Sequence, residues 1–269
     1  MSEAGVRAAG RGRTALVTGA SGGIGYELAR LCAADGYDLV LVARDAAALA
    51  RAAGGLTAGR GIAARVVAAD LARPEAPGEL AEALAGREVD ILVNNAGVGA
   101  YGPFAASDLA TQLALLRLNV VALTELTRRF LPGMLARRSG KILNVASTAA
   151  FLPGPLMATY YASKAFVLSF SEALAEETRG TGVTVTALCP GPTHTNFHRQ
   201  AAMSDSRMLR YRLAMDAGAV ARAGYRGMRR GRRVVVPGRA NWLMAQAVRV
   251  APRALLARAV HAAQVPLHE

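Results

Sequence analysis

The residues Thr18-Gly19-Ala20-Ser21-Gly22-Gly23-Ile24-Gly25 are the strongest indication of the fold, because they separate an apolar run from an amphipathic segment near the start of the chain. The run at 14–18 predicts a short buried strand, and the segment from about 23 to 35 predicts a helix. Glycines allow a tight turn and a close approach to a pyrophosphate, and the following helix N-terminus offers free N–H groups and a positive dipole. A glycine-rich turn often only reverses the chain, but a strand before it and a helix after it favour a dinucleotide site.

The rest of the chain continues this alternation of strand and helix. Apolar runs bounded by turn residues predict strands at 14–18, 38–43, about 65–69, 90–93, 141–146, 183–188 and 233–236. A long helical segment at about 109–137 contains Pro132, which we expect to bend or end its regular part. Strands that are apolar on both faces and separated by helices indicate a parallel sheet covered on both sides. The predicted fold is therefore α/β, a doubly wound, Rossmann-like single domain with three α/β/α layers over residues 14–238.

Two segments flank this domain. Residues 1–13 are polar and rich in glycine and alanine, which predicts a flexible N-terminal tail without a secretory signal. Residues 239–269 predict a C-terminal amphipathic helical extension, with Pro252 beginning its second helix. The chain contains no stretch of 18 uninterrupted apolar residues, which argues against a membrane span. We therefore expect a cytoplasmic protein.

The chain is strongly basic, with 32 basic and 19 acidic residues and a formal net charge of +13. Such an excess raises the question of a nucleic acid or an anionic membrane as partner. Nearly all the basic residues are arginines scattered among alanine and glycine, and Lys141 and Lys164 are the two lysines. This pattern indicates a compositional bias, so we predict no nucleic acid partner. Cys32 and Cys189 match no metal-ligand spacing and predict two buried free thiols and no metal site.

The end of the second predicted strand bears on the choice of dinucleotide. An acidic residue there would accept hydrogen bonds from a ribose 2′-hydroxyl and repel a 2′-phosphate, but this chain has Ala43-Arg44. A guanidinium can bind a phosphate through two charge-assisted hydrogen bonds. Arg44 therefore favours NADP(H), the alternative being a solvated arginine in an arginine-rich chain.

Tyr160 and Lys164 form the clearest candidate for catalysis, because they lie one helical turn apart on the same face of a predicted helix. A phenol has an ordinary pKa of about 10 and is a poor base at neutral pH. A nearby ammonium would lower that pKa and bring it towards the range useful for general acid–base catalysis. Taken alone, tyrosine and lysine at this spacing are common on helices.

These patterns together resemble the short-chain dehydrogenase/reductase (SDR) family. The glycine-rich stretch matches its TGxxxGxG loop, Asn94-Asn95-Ala96-Gly97 matches its NNAG element, and Tyr160 to Lys164 matches its YxxxK motif. Ser147 lies thirteen residues before Tyr160, the family's spacing for its catalytic serine. Asn119 resembles the asparagine that links the lysine through water into a proton relay, the alternative being a helix kink.

The resemblance, which covers residues 14 to about 238, also implies the cofactor contacts. Asp70 would accept from the adenine amino group, although it could equally cap the turn that follows it. Cys189-Pro-Gly-Pro-Thr-His-Thr195 resembles the family's PGxxxT segment, in which Thr193 meets the nicotinamide carboxamide and Thr195 helps hold the cofactor. The full predicted cofactor set is Gly19, Ser21, Gly22, Gly23, Ile24, Gly25, Arg44, Asp70, Leu71, Asn95, Gly97, Tyr160, Lys164, Thr193 and Thr195. His194 is rejected as the acid–base group because Tyr160 fills that role.

The resemblance implies an NADP(H)-dependent oxidoreductase acting on CH–OH groups, with Asn119, Ser147, Tyr160 and Lys164 as catalytic residues. Ser147 and Tyr160 would grip a carbonyl oxygen. The alternative function is a non-catalytic nucleotide-sensing or nucleotide-binding protein on the same fold.

Apolar side chains predict the substrate class. The segment 196–215 is expected to form a lid whose Phe197, Met203, Met208, Leu209 and Tyr211 line the pocket, together with Phe151, Leu152 and Met157. These residues favour a small lipophilic ketone, aldehyde or secondary alcohol over a sugar. Tyr161 is expected to pack or to line the pocket.

The C-terminal extension mixes apolar residues with arginines. It could lie peripherally on an anionic membrane surface or cover a lipophilic pocket. It could also pack against the chain's own core or a neighbouring subunit, and we expect a homo-oligomer.

Overall fold

The computed structural model describes residues 10–194 and 214–265. Most of the expected N-terminal tail, Thr195 and almost all of the expected lid lie outside the described residues. The described strands form a seven-stranded sheet in the order β3-β2-β1-β4-β5-β6-β7, with every neighbouring pair parallel. They are β1 Thr14–Thr18, β2 Asp38–Ala43, β3 Ala64–Ala68, β4 Ile91–Asn94, β5 Gly140–Val145, β6 Val183–Leu188 and β7 Val234–Val235.

Helices cover both faces of the sheet. In chain order they are α1 Gly23–Ala34, α2 Ala46–Thr57, α3 Ala76–Ala83, α4 Leu109–Leu116, α5 Leu123–Ala136, α6 Ala158–Glu177, α7 Ala217–Arg229, α8 Arg239–Ala247 and α9 Arg253–Gln264. One apolar core joins α1, α2 and α7 to the sheet through residues such as Leu28, Leu49 and Met228. The second joins α3 and α5 to the opposite face through Leu80 and Leu126. The predicted three-layer, doubly wound α/β fold is confirmed.

The strand order also locates the functional edge of the sheet. β1 pairs with β2 on one side and with β4 on the other, so the connections leaving their carboxyl ends run in opposite directions. In an open parallel sheet such a switch point leaves a crevice in which ligands bind. Every residue of β1 and β4 is buried, as their unbroken apolar runs predict.

The long helical segment differs from the prediction in where it is irregular. Pro132 does not end the helix, because α5 continues to Ala136. The irregularity lies further upstream, where Arg117–Ala122 forms a π-helical segment between α4 and α5. Wider turns of this kind often occur at functional sites, and this one carries Asn119.

Among the described helices, the continuous segment Leu109–Ala136 is long and apolar enough to cross a membrane, by length and composition alone. The absence of 18 uninterrupted apolar residues is therefore a weaker argument against a membrane span than expected from the sequence. One such helix is weak evidence for a span, because a core helix of a soluble protein passes the same test. Here a third of its most apolar window is buried, and Leu126 and Met134 lie in the core beside the sheet.

The C-terminal helices pack against the rest of the chain. Ala245 of α8 and Val260 and Gln264 of α9 are buried. Pro252 immediately precedes α9, as its position predicts. The extension therefore contributes to the walls around the carboxyl edge of the sheet.

Candidate active site

A cavity of about 610 Å³ opens at the carboxyl ends of the central strands. It brings together residues from most of the predicted motifs, namely Gly19, Ser21, Gly22, Gly23, Ile24, Arg44, Asp70, Leu71, Asn95, Gly97, Ser147, Tyr160, Lys164 and Thr193. Gly25 and Asn119 do not line the cavity, and both are buried behind it. Residues separated by more than 170 positions thus meet at one edge of the sheet.

Two glycines are required by the packing of the turn between β1 and α1. A β-carbon on Gly25 would lie 2.3 Å from the carbonyl oxygen of Gly19. Gly19 has a positive φ of 65°, and a β-carbon there would lie 2.6 Å from Nδ2 of Asn95. Any side chain at either position would force the backbone apart.

Gly22 has a different role, because a β-carbon there would meet no described atom within 4 Å. It lines the cavity at the N-terminus of α1, where no side chain of the described residues caps the helix and the first turn holds no acidic residue. By contrast, Asp45, Asp108 and Asp216 accept hydrogen bonds from the N-terminal N–H groups of α2, α4 and α7. The uncapped N–H groups and positive dipole of α1 therefore fit the pyrophosphate of a dinucleotide.

Two opposite charges lie at the cavity rim beyond β2. Arg44 is exposed and lines the cavity, as does Asp45. The Asp45 carboxylate accepts a hydrogen bond of 2.9 Å from the Ala48 N–H, which orients it as the N-cap of α2. Sequence reasoning missed Asp45, although an acidic residue before a predicted helix is itself a capping signal.

Asp70 and Leu71 line the cavity beyond β3. The Asp70 carboxylate accepts from the Ala72 N–H at 3.0 Å, so it caps the turn that follows it. The sequence left two roles open for Asp70, recognition of the adenine amino group and capping of the following turn, and this hydrogen bond is the second of them. Leu71 is buried in the core beneath.

The asparagines after β4 tie the sheet to the glycine-rich turn. Asn95 Nδ2 donates to the carbonyl oxygens of Thr18 and Gly19, at 2.9 and 3.1 Å. Asn94 Nδ2 donates to Oγ1 of Thr127 and to Oδ1 of Asn144, linking β4 to α5 and β5. These hydrogen bonds fix the central strands to the turn and to the neighbouring helix.

Ser147 and Tyr160 meet at the cavity wall, where their hydroxyl groups share a hydrogen bond. Ser147 Oγ also accepts from the Ala149 N–H at 3.1 Å, which orients the serine at the end of β5. Burial raises the pKa of Tyr160 to about 12, and the hydrogen bond with Ser147 opposes that rise. The lowered phenol pKa expected from the sequence is therefore not found in the protein alone, because removal of the phenolate from water has the larger effect.

Lys164 is only 5% exposed, and its Nζ donates a hydrogen bond of 2.8 Å to the carbonyl oxygen of Val145. The same Nζ lies 5.9 Å from the centroid of the Tyr160 ring. Burial lowers the pKa of Lys164 to about 8, because the ammonium loses its hydration. The lysine is thus held beside the tyrosine and can exchange a proton near neutral pH.

Asn119 lies in the π-helical segment and is almost completely buried. Its Nδ2 donates to the carbonyl oxygen of Val98 and to Oγ of Ser163, while its Oδ1 accepts from the Val98 N–H. The side chain therefore fixes the loop that follows Gly97 against α6. A β-carbon on Gly97 would lie 3.1 Å from Asn119 Oδ1 and 3.4 Å from Lys164 Nζ, so Gly97 lets these groups approach each other.

The loop after β6 brings Thr193 to the cavity. Thr193 is buried, and its Oγ1 donates to the Gly191 carbonyl oxygen at 2.9 Å. His194 is exposed and does not line the cavity, which agrees with its rejection as the acid–base group. Cys189, just before this loop, is buried, and burial raises its thiol pKa to about 12, so it is not a nucleophile at neutral pH.

The cavity wall also contains residues that sequence reasoning did not assign. Asn241 and Met244 of α8 line it, beside Leu152, Met157 and Tyr161. Asn241 Nδ2 donates to the Pro237 carbonyl oxygen at 2.8 Å. The apolar spacing of the extension indicates a helix, but nothing local shows which of its residues reach the site.

Comparison with known proteins identifies relatives of this chain. The family described as short chain dehydrogenase matches residues 13–205. The ketoacyl reductase HetN of Nostoc sp. is 36% identical over 182 residues, which are 67% of this chain and 63% of that protein. The very-long-chain 3-oxoacyl-CoA reductase of Anas platyrhynchos is 36% identical over 186 residues, 67% of this chain and 60% of that protein.

Solved structures resemble it over more of their length. A short-chain dehydrogenase from Sphingobium yanoikuyae in complex with NADPH is 33% identical, with a TM-score of 0.80 over 88% of this chain and 93% of that one. A short-chain dehydrogenase/reductase from Burkholderia phymatum in complex with NAD is 29% identical, with a TM-score of 0.79 over 88% of this chain and 92% of that one.

The chain spans about three-fifths of the length of the two curated relatives that it matches. The family match, in contrast, covers most of the present sequence and contains every motif up to the loop after β6. The chain belongs to the short-chain dehydrogenase family.

Proposed function

We propose that this protein is an NADP(H)-dependent oxidoreductase that reduces a hydrophobic ketone or aldehyde, or oxidises the matching secondary alcohol. The observation that carries this proposal is the meeting of the hydrogen-bonded Ser147 and Tyr160 hydroxyls with Lys164 in one cavity. The uncapped α1 N-terminus lies at the other end of that cavity.

Two hydroxyl groups hold the substrate in this mechanism. Ser147 and Tyr160 donate hydrogen bonds to the carbonyl oxygen and stabilise the negative charge that develops on it. The cofactor, when bound, supplies a hydride to the carbonyl carbon. Tyr160 gives its phenolic proton to the oxygen, so the C=O double bond becomes a C–O single bond while one C–H bond and one O–H bond form.

Lys164 returns the proton to Tyr160. Its Nζ lies beside the tyrosine ring, and its pKa of about 8 permits proton release near neutral pH. The raised pKa of Tyr160 keeps the phenol protonated, which suits the reductive direction. We assign Asn119 the role of positioning residue, because it fixes the backbone at Val98 and the hydroxyl of Ser163.

Arg44 supports NADP(H) as the cofactor. Its guanidinium lies at the cavity rim beyond β2, where it could bind a 2′-phosphate. The neighbouring Asp45 carboxylate is held by the N-terminus of α2, so the two charges need not neutralise each other. Replacement Arg44→Asp should shift the ratio of kcat/KM from NADPH towards NADH, with Arg51→Asp on the exposed face of α2 as control. An unchanged ratio would remove Arg44 as the phosphate ligand.

The apolar lining at the substrate end of the cavity is an argument for a substrate with a long acyl chain. Leu152, Met157, Tyr161 and Met244 line the cavity, and the charged Lys164 Nζ lies 5.9 Å from the centroid of the Tyr160 ring. The names of the two curated relatives refer to ketoacyl and 3-oxoacyl-CoA reduction. We therefore propose a 3-oxoacyl compound with a long alkyl chain as the substrate class.

A peripheral contact with an anionic membrane would deliver such a substrate. Four large apolar side chains of the C-terminal extension are exposed, namely Trp242, Leu243, Val250 and Leu255, and Val250 is exposed to 87%. Residues 239–265 contain four arginines and no acidic residue. Vesicles with 30% anionic lipid should bind the protein, and the paired replacement of Trp242 and Leu243 by serine should release it. Equal binding by neutral vesicles would contradict the charge argument.

The decisive experiment for the reaction is Tyr160→Phe, followed through NADPH absorbance with a series of 3-oxoacyl compounds. We expect turnover to fall by at least about 100-fold, because the proton donor is lost, while NADPH binding stays nearly intact. Tyr225→Phe is a control at a buried tyrosine hydroxyl distant from the cavity lining. NADPH binding without turnover in the wild type would instead favour the nucleotide-sensing alternative.

A further inference from the structure

The last helix ends on a completely buried polar side chain. Gln264 of α9 is 0% exposed, and its Nε2 donates a hydrogen bond of 2.7 Å to the hydroxyl of Tyr161. The carbonyl oxygen of Gln264 accepts a hydrogen bond from the hydroxyl of Tyr101. One residue thus joins three distant segments: the loop after β4, the first turn of α6 and the end of α9.

An apolar cluster surrounds this junction. Val260 of α9 packs with Ala149, Met157 and Tyr161, all buried. Met157, Tyr161 and Leu152 of the same region line the cavity, whereas Val260 and Gln264 lie behind them. The helix α9 is therefore a support for the substrate wall and does not itself form the lining.

Tyr161 is held from both sides. A β-carbon on Gly154 would lie 2.1 Å from the Tyr161 ring, so the ring is pressed against the loop before α6. Gln264 holds its hydroxyl at the other end. Tyr161 directly follows Tyr160, and their rings are in edge-to-face contact with centroids 6.0 Å apart.

A buried glutamine at position 264 contributes less to the stability of the fold than a well-packed apolar side chain would. Its Oε1 is buried and has no hydrogen-bond partner among the described residues. An apolar side chain of similar volume would avoid that desolvation cost, but it would not fix where the Tyr161 hydroxyl lies. A directional hydrogen bond specifies one arrangement among several that apolar packing would tolerate.

We propose that Gln264 is a positioning residue that sets the substrate wall and thereby the chain-length preference of the enzyme. Through Tyr161 it fixes the wall formed with Met157 and Leu152, and it fixes the turn of α6 that carries Tyr160. The statement about chain length depends on the proposed reduction of acyl compounds.

The test is a double-mutant cycle of Gln264→Met and Tyr161→Phe in the full chain. Each single replacement should lower the ratio of kcat/KM for a long-chain over a short-chain 3-oxoacyl substrate by about tenfold, and the double replacement should lower it no further. KM for NADPH should stay unchanged. The control Gln246→Met removes a glutamine of α8 whose side chain accepts only a long hydrogen bond from Arg249.

Several results would overturn the proposal. They are an unchanged ratio in either single variant, additive losses in the double variant, or the same change in Gln246→Met. Calorimetry can also measure the affinities of the same variants for a long-chain and a short-chain fatty acid with NADPH present. The ratio of these affinities tests the substrate wall without turnover. If the wild type reduces no carbonyl compound but the variants still lose selectivity for the long fatty acid, the reaction is wrong and the role of Gln264 stands. If fatty-acid selectivity also stays unchanged in the variants, the role of Gln264 fails.

Discussion

The two ends of the cavity are built in different ways. The phosphate-binding turn at the cofactor end comes from one contiguous segment, in which Gly19 and Gly25 pack backbone against backbone, and Asn95 from the loop after β4 donates hydrogen bonds to the carbonyl oxygens of this turn. The substrate end is assembled from Met157, Tyr161, Met244 and the buried end of α9, which are far apart in the chain. Backbone geometry within one short segment therefore governs the phosphate-binding turn, whereas side-chain packing between distant segments governs the substrate end.

The largest expected effect is at the cofactor end, where the backbone leaves no space. Gly25→Ala places a β-carbon 2.3 Å from a carbonyl oxygen, so we expect loss of NADPH binding and a free energy of unfolding lower by about 1–3 kcal/mol or more. Gly22→Ala is the matched control, because its β-carbon meets no described atom. It should unfold like the wild type and bind NADPH more weakly. Normal stability and NADPH affinity in Gly25→Ala would show that the turn is not packed as tightly as this comparison requires.

Removal of α9 should have the next largest effect, and at the substrate end. The sequence alone predicts that a chain cut after Pro237 remains a folded, NADPH-binding domain with impaired turnover of bulky substrates. The burial of Val260 changes that expectation, since each large buried apolar side chain contributes roughly 1.5–3 kcal/mol, and the loss of Gln264 would also remove the hydrogen bond to the Tyr161 hydroxyl. A chain ending at Pro252 should melt at a lower temperature and still gain stability from NADPH. An unchanged Tm would mean that α9 does not support the wall.

We further expect a pH dependence that differs between the two directions of the reaction. Oxidation needs the Tyr160 phenolate, and burial raises the pKa of this phenol to about 12. Oxidation should therefore accelerate by up to about tenfold per pH unit between roughly pH 7 and pH 9, while reduction, which needs the protonated phenol, should not accelerate. Initial rates in both directions test this difference, with Ser147→Ala as a variant in which the opposing hydrogen bond is lost. A plateau of the oxidation rate below about pH 8 would show that Lys164 lowers the phenol pKa in the working complex after all.

Some predictions are confirmed because they depend only on the pattern of residues within one strand or one helix. The apolar runs of β1 and β4 predict strands buried on both faces, and both are buried along their whole length. The helical spacing of Tyr160 and Lys164 places both in the cavity wall, where Nζ lies 5.9 Å from the ring centroid. The homo-oligomer and the cytoplasmic location stay predictions of the sequence.

Other features depend on the surroundings of a residue. Pro132 does not end its helix, and the irregularity falls at Arg117–Ala122, where Asn119 bonds to Val98 across the loop. The expected lowering of the Tyr160 pKa considered the neighbouring ammonium and not the cost of burial, which has the larger effect. Neither the position of the helix irregularity nor the direction of the Tyr160 pKa shift can be predicted without knowing which residues pack against these sites.

The strand–helix alternation, the glycine-rich turn and most of the residues that line the cofactor end follow from the sequence alone, because they depend on backbone geometry and on spacing within one element. The tertiary structure was needed to show that Asn241 and Met244 line the cavity and that Gln264 holds Tyr161. Contacts between residues more than a hundred positions apart depend on how whole elements pack, and no local pattern in the chain specifies that packing.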